Sequence, residues 1–268
     1  FFPRFRPMPS AILTIEFLGR EAQEIQKKIE HTIALLRLFK SGSVKSARYR
    51  MYSDSITDLM ARGVVTSHRM EATLEKYLIV EEDVSKLKKF WHKMSEVMPP
   101  SFFELGLTKI DHLTVAYSRY NDALFQDGVF ERRVANAVMG LEALFLKSGE
   151  THELSYRLSL RTSKLLDSIG FDPHQVREIV SDAYKVRNIF AHGGHLGYKE
   201  KKRIDSKYKD IRNFLRPMLD YLRISIIVMM LIKKEKDEFI DLIDESLVDE
   251  KQERILKGIV SGAADIVT

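Results

Sequence analysis

The stretch VREIVSDAYKVRNIFAHGGHLG, residues 176–197, decides how the chain is interpreted. Its apolar residues recur at spacings of four, three and four, as the buried stripe of an amphipathic helix requires. They are Ile179, Ala183, Val186 and Phe190. A glycine pair follows at 193–194, and glycine ends helices because it adopts the left-handed conformation without strain. The stretch predicts a helix over 173–192 whose last turns carry an Arg, an Asn and a His.

These three polar residues lie off the centre of the buried stripe, and their spacing bears on how they can meet. Asn188 and His192 are four residues apart and are neighbours on a helix. Arg187 precedes His192 by five residues, about 140° around an ideal helix, so the two diverge. Distortion at the following glycine, or a second copy of the helix across a twofold axis, would bring them together. The spacing favours a site shared by two copies.

The same periodicity organises the rest of the chain. It predicts helices over 102–126, 129–147, 151–168, 173–192, 200–233 and 236–257. Upstream it predicts helices over 21–40 and 81–98 and short strands over 11–17, 46–53, 63–67 and 74–80. Pro99 and Pro100 separate the two parts. We therefore expect an all-α helical bundle at 101–268, preceded by a smaller mixed α/β region with a few short strands at 1–100.

Composition narrows the class of protein. The 268 residues include no cysteine, which excludes disulfides, thiol catalysis and Cys-based zinc sites and fits a reducing cytoplasm, where we expect the protein to lie. The longest apolar run, residues 224–232, falls short of the roughly 20 residues of a membrane span, so we expect no membrane association. It predicts a buried or dimer-facing helix. The chain begins without an initiator Met, as a fragment of a longer protein would.

Positive charge is concentrated directly after the quoted stretch. Residues 199–216 hold eight Lys or Arg against three acids, and this excess of five equals the net charge of the whole chain. A basic strip beside a His-containing turn suits a polyanion, and RNA is the expected partner. The candidate RNA-binding residues are Lys199, Lys201, Lys202, Arg203 and Lys207. Alternatively, the strip is an ordinary solvated helix face rich in lysine. A helical DNA-binding regulator is a further alternative for the function, although no helix-turn-helix pair is evident in the sequence.

Arg187 and His192 suit attack by a ribose 2′-hydroxyl on the adjacent phosphorus. Histidine transfers protons near neutral pH, and the arginine fork stabilises charge on phosphate oxygens. Asn188 would orient the histidine or hold the substrate. No metal or cofactor is needed for this chemistry. His192 and His195 form a weak metal-ligand pair because no carboxylate lies near them in sequence.

Two further charged residues occur among apolar ones. Glu142 is flanked at helical spacing by apolar residues, and Arg161 falls on a leucine stripe. Isolated buried charges are too costly, so each needs a partner. The sequence favours a Glu142–Arg161 bridge, and the alternative is that Glu142 holds Arg187 or shapes the pocket.

In this context the motif Arg187-Asn188-x-x-x-His192 resembles the R-x4–6-H signature of HEPN domains. The surroundings are similar to the Apea-like branch: RRVANAVMGLEALF (132–145), LSYRLSLRTSKLL (154–166) and AYKVRNIFAHGG (183–194). Upstream, IALLRLFKSGSV and YLIVEEDVSKLKKFW resemble the region that precedes the domain.

The resemblance implies an all-α homodimer whose two R-x4-H helices share a cleft. It implies a metal-independent endoribonuclease leaving a 2′,3′-cyclic phosphate, in a toxin or antiviral defence role, with an antitoxin or a nucleotide as further partners. Arg187, Asn188 and His192 would be catalytic, supported by Glu142 and Arg161. A non-catalytic RNA- or nucleotide-binding module is the family's other form. Without the resemblance, the sequence AHGG at 191–194 would indicate only an ordinary helix C-cap. A histidine is favourable at that position because the negative end of the helix dipole attracts its positive charge.

Overall fold

A computed structural model describes residues 22–42, 44, 77–103, 110–125, 130–232 and 234–267, and their regular secondary structure is helical. The helices are α1 (Ala22–Phe39), α2 (Glu81–Val97), α3 (His112–Phe125), α4 (Phe130–Phe145), α5 (Leu154–Asp167), α6 (Pro173–Ala191), α7 (Tyr198–Tyr208), α8 (Ile211–Leu231), α9 (Lys236–Glu245) and α10 (Glu250–Val267), with a 3₁₀ turn at Pro100–Phe102. The all-α prediction is confirmed for these residues.

None of the four predicted strands is confirmed among the described residues. Those over 11–17, 46–53 and 63–67 lie outside the described residues, whereas residues 77–80 of the fourth have no regular secondary structure, so that prediction is wrong there. The Tyr77 hydroxyl donates to the Leu36 carbonyl, and the Val80 N–H donates to the Asp83 carboxylate. The segment thus docks on α1 and caps α2 instead of pairing with a strand.

Two predicted helices are each interrupted by a short turn. The helix expected over 200–233 is two helices, because Lys209 adopts a left-handed φ of 64° and Asp210 caps α8 by accepting from the Arg212 N–H. The helix expected over 236–257 is likewise α9 and α10, with the Asp249 carboxylate accepting from the Lys251 N–H between them. Aspartate side chains accept hydrogen bonds from the free N–H groups at helix starts. A new helix therefore begins at each of these aspartates, although the apolar pattern continues through both turns.

The helix predicted over 102–126 begins only at His112. The Asp111 carboxylate accepts from the Thr114 N–H at 2.7 Å and so defines this start. The 3₁₀ turn at Pro100–Phe102 precedes it, and residues 104–109 lie outside the described part.

Helix α4 occupies the centre of the bundle and packs against α3, α5, α6 and α8. Its buried apolar series is Val134, Val138, Leu141 and Phe145. Gly140 lets α8 approach closely, because a Cβ atom there would lie 2.6 Å from a Leu222 methyl carbon. This central position brings residues of α4 beside the last turns of α6.

The apolar run in α8 is an interior feature of the single chain. Its residues Ile224, Ile226, Ile227 and Val228 are buried within the protomer. The expectation of burial is confirmed for residues 224–229, whereas residues 230–232 are half-buried and a dimer contact there stays a prediction. No helix among the described residues has the length and apolarity needed to cross a membrane.

The described helices of the first hundred residues share this core. The Arg223 guanidinium of α8 donates to the carbonyls of Leu38 and Phe39, and the Tyr120 hydroxyl of α3 donates to the Arg37 carbonyl. The C-terminal end of α1 is thus tied to α3 and α8. The division into domains at 1–100 and 101–268 stays a prediction.

Candidate functional site

Helix α6 ends at the glycine pair, as its sequence predicts. Gly193 has a φ of 77°, and its N–H donates to the Phe190 carbonyl at 2.9 Å. The Gly194 N–H donates to the Ile189 carbonyl, also at 2.9 Å. Together these bonds form a Schellman motif, which satisfies carbonyls of the last helical turn. His192 is the capping residue and is exposed.

Arg187 lies one turn earlier and pairs with α4. Its Nη2 atom is 3.2 Å from Oε2 of Glu142, and the two side chains are 29% and 15% exposed. Its Nη1 atom donates to the Asn188 Oδ1 atom at 3.3 Å. The guanidinium also lies 5.7 Å from the centre of the Tyr184 ring. Glu142 thus holds Arg187, so the favoured Glu142–Arg161 bridge is wrong and the alternative partner is correct.

The Glu142–Arg187 pair sits between solvent and the core. Burial raises the pKa of Glu142, and the Arg187 charge and hydrogen bond oppose that rise. The Arg187 Nε atom is buried and has no hydrogen-bond partner among the described residues. Two of the five guanidinium N–H donors are engaged by Glu142 and Asn188. The remaining Nη hydrogens are the ones available to an anion.

His192 stands apart from this cluster. Asn188 directs its carbonyl oxygen to Arg187, so it does not orient the histidine through that atom. No hydrogen bond joins Arg187 and His192 in the described part of the chain. Among the described residues, Arg187 and Asn188 are joined by a hydrogen bond, whereas no side-chain hydrogen bond links His192 to either of them. Nor do three His, Asp or Glu side chains in the described ranges lie together as metal ligands would.

Arg161 belongs to a separate ion cluster in the core. Its side chain is only 2% exposed and donates to the carboxylates of Glu150 and Asp244 and to the Phe145 carbonyl. The cluster ties α5 to the α4–α5 connection and to α9. Arg161 therefore supports the bundle, and its hydrogen bonds and ion pairs among the described residues go to Phe145, Glu150 and Asp244 and not to the end of α6.

The basic strip divides into paired and free cations. Asp182 of α6 is 5% exposed and binds the Lys207 ammonium of α7, with Lys185 at 3.0 Å and Arg203 at 3.6 Å. Lys207 also lies 2.7 Å from Glu178. Two of the five candidate RNA-binding residues, Arg203 and Lys207, thus have partners inside the protein.

The remaining candidates, Lys199, Lys201 and Lys202, are exposed on α7 and form no ion pair within the described residues. Tyr198 begins the same helix and is 81% exposed. Exposed aromatic rings beside lysines are common on surfaces that bind single-stranded nucleic acids, because bases stack on aromatic side chains. Tyr198 is not among the candidates named from the sequence, although it begins the basic pattern YKEKK.

We expect Asp182→Asn to destabilise the protein by about 1.5–3 kcal/mol at pH 7, the usual contribution of a hydrogen bond to a charged group. Burial alone would raise the pKa of Asp182, but hydrogen bonds from Lys207, Lys185 and Tyr208 lower it overall. A lowered pKa means that the stabilisation exists above the unfolded value of about 3.9 and is lost as pH falls through the folded value.

Urea denaturation at pH 7 and at pH 3 measures this difference. Glu178→Gln is the matched control, because it removes an exposed carboxylate from the same lysine and should cost less than about 1 kcal/mol. Equal effects of the two substitutions would show that Asp182 is not the anchor of α7.

No family model, curated protein or solved structure matches the sequence.

Proposed function

We propose that the protein is a metal-independent endoribonuclease of the HEPN type, with Arg187 and His192 acting on one phosphodiester. One observation carries the proposal: a half-buried arginine, positioned by Glu142, and an exposed histidine occupy the end of one helix, next to free cations. The family resemblance of the α4, α5 and α6 sequences supports the same interpretation.

The chemistry exchanges one P–O bond for another and requires two proton transfers. His192 takes the proton from the ribose 2′-hydroxyl as the O2′–P bond forms. Arg187 stabilises the charge that develops on the non-bridging oxygens. The P–O5′ bond then breaks and the 5′-oxygen takes up a proton from solvent. The products are a 2′,3′-cyclic phosphate and a 5′-hydroxyl.

A second copy of the chain completes the site in this proposal. The five-residue spacing between Arg187 and His192 corresponds to about 140° around an ideal helix, and no hydrogen bond joins the two side chains among the described residues. Two α6 ends meeting across a twofold axis would place the arginine of one protomer beside the histidine of its partner. Residues 224–229 of α8 are buried within the protomer, so the proposed contact uses the ends of α6.

Purified protein incubated with mixed single-stranded RNAs in EDTA tests the proposal. The expected result is cleavage whose products carry 2′,3′-cyclic phosphate ends, which resist a 3′-end ligase until the cyclic phosphate is opened. Loss of cleavage on chelation, or products with 3′-hydroxyl ends, would contradict it.

A non-catalytic RNA-binding module is the second candidate. The observation in its favour is that Glu142 already compensates the Arg187 charge, while no described side chain orients His192. This candidate forecasts RNA binding without cleavage in the same assay.

A further inference from the structure

A groove of about 340 Å³ lies between the last turns of α6 and the first turns of α7. Its inner lining is apolar, with Val186 buried and Ile189 and Leu196 half-buried. Its outer lining holds the cations Lys185, Lys199 and Arg203 and the acid Glu200. The groove therefore combines an apolar interior with a mainly positive rim.

Two buried carboxylates hold the walls of this groove in place. Asp182 binds Lys185 and Arg203 and thereby fixes the cations of the two facing helices. The buried Glu131 accepts from the Leu196 N–H at 3.0 Å and fixes the connection after the glycine pair. The groove is thus built by the fold before any ligand arrives.

The size and chemistry of the groove restrict its occupant. A volume of 340 Å³ is near the lower end of the ~300–1,000 Å³ typical of small-molecule pockets, and is small for a docked helix. An occupant must offer a flat apolar body to Ile189 and Leu196 and an anionic group to Lys199. A nucleobase with its attached phosphate has this combination.

The groove also lies next to the candidate catalytic residues. Around the perimeter of α6, with about 100° per residue, the order is Arg187, Asn188, His192, Lys185 and Ile189. The groove therefore begins on the side of His192 that faces away from Arg187. A strand whose phosphate contacts His192 has its neighbouring nucleotide at the mouth of the groove.

We propose that this groove binds one nucleotide of the RNA strand flanking the reacting phosphate, with its base on Ile189 and Leu196 and its phosphate on Lys199. The inference rests on the proposed function for the identity of the strand. It assigns to Ile189, Leu196 and Lys199 a role in substrate affinity that the motif residues do not have.

Binding of 2′-O-methyl RNA hexamers tests the groove separately from catalysis, because these oligomers lack the attacking hydroxyl. Fluorescence anisotropy compares a hexamer with its bases intact to an abasic ribose-phosphate hexamer of equal charge. The wild type should bind the intact hexamer about tenfold more tightly, because covering the face of a base with apolar side chains removes apolar surface from water. Ile189→Ala should lower this ratio severalfold while leaving the abasic affinity nearly unchanged.

Two further variants exclude misfolding and a general loss of positive charge as causes of weaker binding. Leu196→Ala should lower the same ratio, and circular dichroism checks that both apolar variants stay folded. Lys199→Glu should weaken binding of both hexamers more than Lys202→Glu, which makes the same charge change on α7 outside the groove.

An unchanged ratio in both apolar variants, or equal effects of the two lysine variants, would overturn the proposal. Ile189-dependent binding of a hexaglutamate peptide without any preference for bases would overturn it in favour of an acidic protein partner. Base-dependent binding without cleavage of ordinary RNA would uphold the groove and refute the proposed nuclease activity.

Discussion

His192→Ala and Arg187→Ala should each lower the rate of RNA cleavage by about 10²–10⁴-fold, the usual cost of removing a proton-transfer group or a charge partner of the transition state. The histidine variant loses the acceptor of the 2′-hydroxyl proton. The arginine variant loses stabilisation of the non-bridging oxygens. Both effects should appear in kcat, because both interactions strengthen as the reaction proceeds.

Substrate affinity and folding should survive these substitutions. His192 is exposed and Arg187 is half-buried, so neither is part of the apolar core. The free lysines of α7 remain to bind phosphates, and the KM of His192→Ala should stay near that of the wild type. His195→Ala is the matched control, an exposed histidine three residues away that should retain the wild-type rate. Cleavage that persists in His192→Ala would contradict the assigned role.

Arg161→Met should destabilise the protein by about 3–5 kcal/mol, the usual cost of breaking a buried ion pair by removing one partner. The substitution keeps an unbranched side chain in the core but leaves Glu150 and Asp244 without their shared cation. Their two negative charges then repel each other, and the Phe145 carbonyl loses its donor. Urea denaturation at pH 7 measures the loss.

The pH dependence identifies the cause of that loss. The hydrogen bond from Arg161 is the largest of several interactions that lower the pKa of Glu150 to about 2. The lowered pKa gives stabilisation above the unfolded value of about 4.3, and this stabilisation disappears as pH falls through the folded value. The difference between wild type and Arg161→Met should therefore shrink over this range. The half-exposed Arg157, 3.0 Å from the same carboxylate, serves as control: Arg157→Met should cost under about 1 kcal/mol. A cost for Arg161→Met as small as this would contradict a buried cluster.

The parts of this molecule that depend on local interactions could be predicted from its sequence. The apolar spacing in 176–190 and the glycine pair after His192 suffice to place α6 and its end, because periodicity and capping act over a few residues. The divergence of Arg187 and His192 follows from the same helical geometry. The interruption at Lys209–Asp210 was predictable in principle from the capping aspartate, but a continuous apolar pattern concealed it.

The partners of buried charges could not be predicted, because they are set by tertiary packing. Arg161 pairs with Asp244, 83 residues away, and no spacing rule indicates that choice. Asp182 appeared in the sequence as one acid on an amphipathic helix, yet it binds three cations from α6 and α7. Its identification required knowing that α7 folds back along α6. The same packing decides that Glu142 meets Arg187 and not Arg161.

The pairing of Glu142 with Arg187 has a consequence for the mechanism. It holds the guanidinium against α4, and the five-residue spacing to His192 corresponds to about 140° around an ideal helix. In the proposed mechanism a phosphate contacts the arginine of one chain and the histidine of the other. The shared site is therefore the central claim, and it can be tested without knowing the natural RNA.

Mixing the two inactive variants tests it most directly. Arg187→Ala and His192→Ala protein are combined in equal amounts, allowed to exchange subunits, and assayed on the same RNA in EDTA. Random exchange makes half of the dimers mixed, and each mixed dimer retains one of two sites with an intact arginine and an intact histidine. The account predicts that the mixture regains about a quarter of the wild-type rate, although each variant alone is nearly inactive. A mixture that exchanges subunits, as shown by energy transfer between labelled chains, and yet stays as inactive as its components would contradict the shared site.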